Sequence, residues 1–315
     1  MMNISKLSTA TKRLLFVNVS DISYKLLKET HFVENNKVIF FNTETEKRSI
    51  SEYIVKLKIK TVIIETSNIN HVSEKVTNEI IESRIKGVKV YEAQEFYEIV
   101  NKRIPLIKFE TNEYFADNIF SIGLNRHDEI FKRVFDVLVS LIILPISLPL
   151  IALGCLLIFI SSPGNVFFTQ KRVGKNSIPF KIYKIRTMKL HHHGDFTKKN
   201  DDRLLKIGKI LRITKIDELP QLFNVLNGNM SLIGPRPERP KFVEESIKEN
   251  AYFDLRHLVK PGVTGWAQVH LPKATPKENL KKLEYDLYYI KNYSFKLDLI
   301  TLLKTVKVVL TMNSH

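Results

Sequence analysis

One stretch constrains this chain more than any other. Between residues 134 and 160 the sequence is almost wholly apolar, with Asp136 as its only charge. As a helix it would be about 40 Å long, enough to cross the hydrocarbon core of a bilayer. A straight transmembrane span is the simplest reading of its length. Two features oppose it. Pro145 and Pro149 lie mid-run, and proline interrupts the backbone hydrogen-bond ladder and bends a helix. The flanks are also basic on both sides, with Lys132 and Arg133 before the run and Lys171, Arg172 and Lys175 after it. Positive residues are retained on the cytoplasmic side, so both ends read as cytoplasmic. A helix that enters, kinks near Pro149 and returns satisfies both observations. It keeps its backbone hydrogen-bonded in lipid except at the break. The expectation is a re-entrant membrane helix hairpin over 132–160.

Ahead of this run the texture is different. Short apolar runs at 14–19, 38–41, 61–65 and 88–91 alternate with longer charged segments of helical period, such as 72–84. That alternation predicts βαβαβαβ, a small parallel sheet with helices on its faces. The fold class is therefore α/β: an N-terminal Rossmann-like parallel-sheet domain (1–105), a linker (106–130), then a mostly α, membrane-associated domain (131–315). A Rossmann-like sheet invites a nucleotide, but the first strand is followed by Asn18-Val19-Ser20-Asp21, without the glycine that lets a backbone approach a pyrophosphate. The domain reads as degenerate, structural or regulatory.

The formal net charge is +16 over 315 residues, which favours anionic partners: nucleic acid, phosphorylated substrates or an acidic lipid surface. No zinc-finger spacing or RNA-recognition aromatic string is present, and a long apolar insertion is a liability in a soluble nucleic-acid binder. Nucleic acid is therefore not expected as a partner. Cys155 is the sole cysteine, so no internal disulfide can form. It sits in the apolar run as a small hydrophobe. Residues 1–13 are polar and lack a signal-peptide core, so the remaining domains are expected on the cytoplasmic side.

Beyond the hairpin lie four constellations that could carry chemistry. Asp217-Glu218 precedes Leu219-Pro220-Gln221. Proline suits a first helical turn, so a helix should begin near Pro220 with both carboxylates at its start. Adjacent carboxylates can divide the work of nucleophile and metal ligand, although acids at helix starts are also ordinary caps. In Gly234-Pro235-Arg236-Pro237 two prolines hold one arginine, either as a phosphate clamp or as a rigid turn with a solvated side chain. A basic series runs through Gln170, Lys171, Arg172, Lys181, Lys184, Arg186, Lys206, Lys209 and Arg212, offering cations for a diphosphate or for lipid headgroups. His191-His192-His193 point different ways in any regular backbone and read as an exposed loop. A final helical stretch, 279–310, has a Tyr-rich first part and a Leu/Val-rich second part with lysines. It suits either an interfacial amphipathic helix or a core helix.

Four strings occur in order: KRVFDVLVSLIILPISLPL (132–150), FFTQKRVGKNSIPFKIYKIRTMK (167–189), LRITKIDELPQLFNVLNGNMSLIGPRP (211–237) and KPGVTGWAQV (260–269). Together they resemble the monotopic polyprenyl-phosphate phosphoglycosyl transferases, or bacterial sugar transferases, over about 131–310. The resemblance implies an enzyme at the cytoplasmic face of the bacterial inner membrane. It implies a Mg²⁺-dependent Asp-Glu dyad in which Asp217 attacks the β-phosphate of a UDP-sugar, releases UMP and holds a covalent phosphosugar. Polyprenyl phosphate then accepts the sugar phosphate, the first membrane step of a surface glycan. By the same resemblance Glu218 is the metal ligand, and Arg212 and Arg236 contact phosphate; from the basic series Arg172, Arg186 and Lys184 are expected to join them. Lys132, Arg133 and Pro149 belong to the membrane hairpin. The stretch EFYEIVNKRIPL (95–106) resembles the Rossmann-like domain ahead of the core in larger members. Those begin with several membrane helices that this sequence lacks, so attachment is expected to rest on the hairpin and the C-terminal surface. Self-association is left open.

Three positions depart from the family pattern. Asn229 stands where an acid is common, Leu148 stands before the helix-breaking proline where serine is usual, and His270-Leu271-Pro272-Lys273 replaces an Asn-Gly-Arg-like string. The last departure bars any transfer of sugar preference from relatives. The rival reading, a non-catalytic basic membrane-associated binding protein, shares the charge but leaves the four ordered strings unexplained.

Overall fold

The computed structural model describes residues 12–28, 30–46, 48–66, 74–106, 123–190, 201–274 and 278–311. The chain divides into two compact units, Met1–Phe120 and Ser121–His315, with the division inside the stretch read as a linker. Most of that stretch, His191-His192-His193 and the start of the 72–84 segment lie outside the described residues.

In the first unit the elements follow the expected alternation: β1 (Arg13–Val17), α1 (Asp21–Lys28), α2 (His31–Glu34), β2 (Lys37–Phe41), α3 (Ile50–Lys56), β3 (Thr61–Ile64), α4 (Glu74–Ile85), β4 (Lys89–Glu92) and α5 (Ala93–Asn101). The strands form one parallel sheet in the order β2-β1-β3-β4. Its central strand β1 is buried on both faces, which is why it is continuously apolar rather than alternating. Leu14 and Phe16 pack into one core with Leu26, Leu27 and Phe96, while Leu15 and Val17 pack into the other with Ile50, Ile54 and Val62. The start of α1 is filled from within. The Glu65 carboxylate accepts hydrogen bonds from Ser20 N (2.5 Å) and Ser23 Oγ (2.6 Å). A side-chain anion thus sits where a glycine-rich loop would hold a phosphate.

The second unit begins with α6 (Arg126–Ser161), a helix of 36 residues. It starts six residues before the expected boundary of 132 because Asn125 caps it, accepting from Asp128 N at 2.8 Å. Pro145 and Pro149 both lie inside this one helical element. The expected separation into two limbs is thus not seen in the secondary structure. Proline removes one ladder bond and can still hold helical dihedral angles, so each break loosens the helix without ending it. Only 22% of its most apolar stretch is buried within the protein. Ile142, Ile146, Leu153, Leu156 and Ile160 are all exposed, unlike the face of a core helix.

After α6 come β5 (Phe167–Val173) and β6 (Pro179–Ile185), an antiparallel hairpin, then α7 (Lys206–Ile213), α8 (Gln221–Leu226), β7 (Ser231–Ile233), α9 (Pro240–Glu249), β8 (Gly262–Thr264) and α10 (Trp266–His270). β7 and β8 pair in parallel. Their approach is close enough that a Cβ at Gly234 would overlap the Lys260 carbonyl. The stretch 279–310 is two helices, not one: α11 (Asn279–Lys291) and α12 (Phe295–Leu310), divided where Ser294 caps α12. α11 is a core helix, with Leu283, Leu287, Tyr288, Tyr289 and Ile290 buried. α12 is amphipathic: Leu297, Asp298 and Thr301 face inward, while Phe295, Leu299, Leu303, Val306 and Leu310 form an exposed apolar stripe. Each alternative reading of this stretch therefore applies to half of it.

Both ends of α6 grip this same unit. Near its start, Lys132 Nζ donates to Asp298 Oδ2 at 2.7 Å, and Arg133 donates to the Val225 and Leu226 carbonyls at the end of α8 (2.5 and 2.7 Å). Asp136 accepts from Leu232 N at 3.0 Å. Near its end, Ile151 and Ile158 enter a core with Ile185 and Leu211, against which Ile216 packs. Gly154 permits that contact, since a Cβ there would come within 3.0 Å of Ile185 Cδ1. The residues flanking the apolar run also meet, as Lys175 Nζ pairs with Glu129 at 2.5 Å.

Candidate active site

The Asp217-Glu218 pair lies on a 3-10 turn, Ile216–Glu218, immediately before α8 with Pro220 at its N-cap. This is the position the proline predicted. Lys215, just ahead of the turn, has φ of 61°, an uncommon conformation for a residue with a side chain and one that concentrates at functional sites. Ile216 anchors the turn on the second half of α6. Asn224 fixes α8 to the edge of β6, accepting from Tyr183 N at 3.0 Å and donating to Lys181 O at 2.7 Å. The amide thus pairs like one residue of a neighbouring strand, and the register brings Lys184 to the carboxylates.

Glu218 Oε1 takes both Lys184 Nζ at 2.6 Å and Arg236 Nη2 at 2.8 Å. Burial pushes the Glu218 carboxyl up, but Arg236 and Lys184 together outweigh it and hold the group well below the usual carboxylate range. Its other oxygen, Oε2, takes no hydrogen bond from the described residues. Burial lowers Lys184, opposed by Glu218, while Glu218 raises Arg236. Asp217 is different. It is buried, and its Oδ1 has no hydrogen-bond partner. Burial, and then the charge of Glu218, raise it to about 6. Two neighbouring carboxylates are thus pushed apart, one permanently ionised and one poised near neutrality, the pattern that separates roles in an active site.

Arg236 is set from behind. Arg256 donates to the Arg236 carbonyl at 2.9 Å and to Asp286 at 2.8 Å. The two prolines around Arg236 therefore work together with a buried ion pair. Arg212 lies near the dyad, with its Nε on Thr187 Oγ1 at 2.8 Å, and burial lowers it against the pull of Asp217. Arg172 stands further along β5, donating to Pro237 O at 3.2 Å and facing Glu238 at 3.7 Å. Burial brings it down to about 10. Arg186 is not brought to the dyad. It is buried and donates to the Ser162 carbonyl at the end of α6, as a helix C-terminus favours. Lys132 and Arg133 serve as the anchors of α6 described above.

Beside Glu218 a cavity of about 490 Å³ opens. Its lining includes Lys215, Glu218, Arg236, Glu238, Lys282 and Asp286 together with Ile143, Leu222, Leu302, Val308 and Val309. Lys215 escaped the sequence reading although it stands two residues before Asp217. A lysine has no motif of its own, and only the fold shows that it faces a cavity. Among the described residues no group of three or more His, Cys, Asp or Glu side chains gathers as a metal cage.

Similarity to known proteins agrees with this geometry. The chain is 45% identical over 184 residues to the UDP-N-acetylgalactosamine-undecaprenyl-phosphate N-acetylgalactosaminephosphotransferase of Aeromonas hydrophila, covering 57% of this chain and 44% of that protein. It is 40% identical over 194 residues to the UDP-glucose:undecaprenyl-phosphate glucose-1-phosphate transferase of Klebsiella pneumoniae (60% and 42% covered). It is 38% identical over 189 residues to a protein of the same name from Caulobacter vibrioides (58% and 71% covered). The chain spans less than half the length of the first two. The family model described as bacterial sugar transferase matches residues 127–312, which takes in α6, the dyad turn, the Arg236 clamp and the cavity together, and the chain therefore belongs to the bacterial sugar transferase family.

Proposed function

We propose that this protein transfers a sugar 1-phosphate from a UDP-sugar to polyprenyl phosphate, through a phosphosugar held on Asp217. The observation that carries the reading is the asymmetric dyad. Glu218 is locked as an anion by two cations, and beside it stands a buried Asp217 oxygen with nothing bound to it. The relatives named above act on UDP-sugars and undecaprenyl phosphate by their names, which favours the same substrate classes here.

The chemistry follows from the charges. With its carboxyl at about 6, Asp217 is largely ionised at neutral pH and more basic than an ordinary aspartate, hence a better nucleophile. Its oxygen attacks the β-phosphorus of the donor. The bond from that phosphorus to the bridging oxygen breaks and UMP leaves. A phosphate oxygen of the lipid then attacks the same phosphorus and Asp217 leaves as the carboxylate. Arg236, Arg212 and Lys184 lower the repulsion between carboxylate and diphosphate. Two steps remove the need to hold a soluble donor and a lipid acceptor at once.

The residues present also suit Mg²⁺. Glu218 Oε2 and the unpartnered Asp217 Oδ1 are hard oxygen donors. Magnesium is held by one or two carboxylates plus substrate phosphates rather than by a full protein cage. When bound, it would neutralise charge on the diphosphate. Glu218 is the residue to hold it.

For the membrane we favour the re-entrant arrangement, in the cytoplasmic leaflet of a bacterial inner membrane. The Lys175–Glu129 pair joins the two flanks of the apolar run, and both ends of α6 pack on one catalytic unit. Those contacts favour keeping both ends of the apolar run on one side of the bilayer. In a Cys155→Ala background, Phe131→Cys and Asn165→Cys are expected to react with an impermeant thiol reagent from the cytoplasmic side alone. Labelling from opposite sides overturns the arrangement. The transfer itself is tested by UMP release from a panel of UDP-sugars, with detergent-purified protein, Mg²⁺ and undecaprenyl phosphate. Release dependent on lipid and on one donor is expected. No release from any donor removes the reading and revives the binding-protein alternative.

A further inference from the structure

Resting on the transferase reading above, we infer that the cavity beside Glu218 is the acceptor site. Lys215 and Lys282 hold the lipid phosphate there, and the inward side of α12 with Ile143 holds the first isoprenoid units.

Sorting the cations of the site shows which are committed. Lys184 and Arg236 are engaged by Glu218, Arg256 by Asp286, and Arg172 faces Glu238. Two cations lining the cavity are not so engaged. The Lys215 side chain makes no hydrogen bond or ion pair with the described residues, and Lys282 has only a 3.4 Å contact with Asn279 Oδ1. Burial lowers both ammonium groups, opposed by Glu218 at Lys215 and by Glu238 and Asp286 at Lys282, and no carboxylate among the described residues is bonded directly to either. An anion entering the cavity supplies the missing partner.

The rest of the lining decides which anion. A nucleotide sugar is polar over its whole length and has nothing to bury against Leu302, Val308 and Val309. An isoprenoid phosphate has one anionic end and a long apolar tail, matching a lining that offers both cations and aliphatic side chains. Ile143 lies within the apolar run of α6 and lines the same cavity, so the tail can leave it along a surface that is already lipid-compatible. The volume of about 490 Å³ suits a headgroup and the first isoprene units, within the range of about 300–1,000 Å³ usual for pockets that bury a small ligand. The remainder of a long chain would stay in the bilayer.

The probe is a polyprenyl phosphate carrying a photoreactive diazirine on its second isoprene unit, added to the full chain in lipid nanodiscs and mapped by mass spectrometry. Cross-links are expected at Leu302, Val308, Val309 or Ile143. Excess undecaprenyl phosphate should chase them and undecaprenol should not. Labelling should fall about tenfold, the loss of one modest charged contact, in the Lys215→Gln/Lys282→Gln double variant. Val309→Trp, which adds bulk to the aliphatic lining, should raise the KM for undecaprenyl phosphate more than it lowers kcat. Labelling confined to the outward stripe of Leu299, Leu303 and Val306, or equal competition by undecaprenol, overturns the inference. UMP release by the unmodified protein is scored separately. No release with labelling on the inner face removes the transferase reading and leaves a lipid-phosphate site. Release with labelling only on the outer stripe removes the acceptor site alone.

Discussion

Asp217→Asn is expected to abolish UMP release and, in the same protein, to raise thermal stability at alkaline pH. Loss of the attacking carboxylate should lower turnover by at least about 10⁴-fold, as removal of a nucleophile does elsewhere. The stability gain follows from linkage. The Asp217 carboxyl moves from its ordinary 3.8 to about 6 on folding, so the folded chain binds that proton more tightly than the unfolded chain. The protonated form therefore contributes stability that is complete below pH 3.8. That contribution is lost as pH rises through about 6. Above that the buried charge is a net liability of about 3 kcal/mol, at 1.36 kcal/mol per pH unit. Asparagine keeps the shape and removes the charge. Measured without Mg²⁺ in the presence of chelator, Asp217→Asn should melt higher than the parent at pH 8 by roughly 6–12 °C, and the advantage should vanish near pH 4. Full activity in this variant removes Asp217 as nucleophile. A melting difference that does not change with pH removes the account of a buried charge. Glu218→Gln should also lose turnover without this gain, because Lys184 and Arg236 already hold that carboxylate ionised.

The second large effect is predicted at the root of α6. Lys132→Ala should destabilise the catalytic unit by about 3–5 kcal/mol, the cost of leaving one member of a buried ion pair alone. Lys132 and Asp298 meet at 2.7 Å with side chains only 7% and 0% exposed. Tyr289 donates to the second oxygen of Asp298 at 2.6 Å, and the Lys132 ammonium lies 5.8 and 5.5 Å from the ring centres of Tyr289 and Tyr293. These groups tie α6, α11 and α12 at one point. Asp298→Asn should also destabilise, and Lys132→Ala combined with Asp298→Asn should recover part of the loss, since the carboxylate paired with Lys132 is then neutral while the buried Asp136 that also faces Lys132 stays. Thermal unfolding of the four proteins in one detergent gives the coupling. If the single variants are additive, Lys132 is held by the rings and not by the carboxylate.

Several features of this protein were legible in its residues. The central strands β1 and β3 are almost continuous apolar runs because burial on both faces demands it, while the edge strands β2 and β4 are only partly buried. The dyad turn ends where Pro220 begins a helix, because proline favours a first turn and restricts the residue before it. The length and apolar character of α6 follow from its composition alone. Each of these is set by neighbours in sequence, through backbone stereochemistry or through the solvation of side chains on one segment.

Other features needed the fold. Sequence spacing cannot separate cations that are neutralised from those left open to a ligand. Lys184 and Arg186 read alike, yet one binds Glu218 and the other caps α6, while Lys215, which the sequence did not single out, faces a cavity. The contrast between Asp217 and Glu218 was equally invisible, because it comes from Lys184, Arg236 and burial, contributed by segments distant in the chain. The linkage of Glu129 to Lys175 and of Lys132 to Asp298 likewise joins residues 46 and 166 positions apart. The sequence by itself determined the parallel strands, the start of the helix after the dyad and one long apolar helix, because those depend on local geometry and hydration. Only the tertiary structure decided which charges pair and which remain for substrate, because an ion pair depends on distances that the chain sets only when it closes on itself.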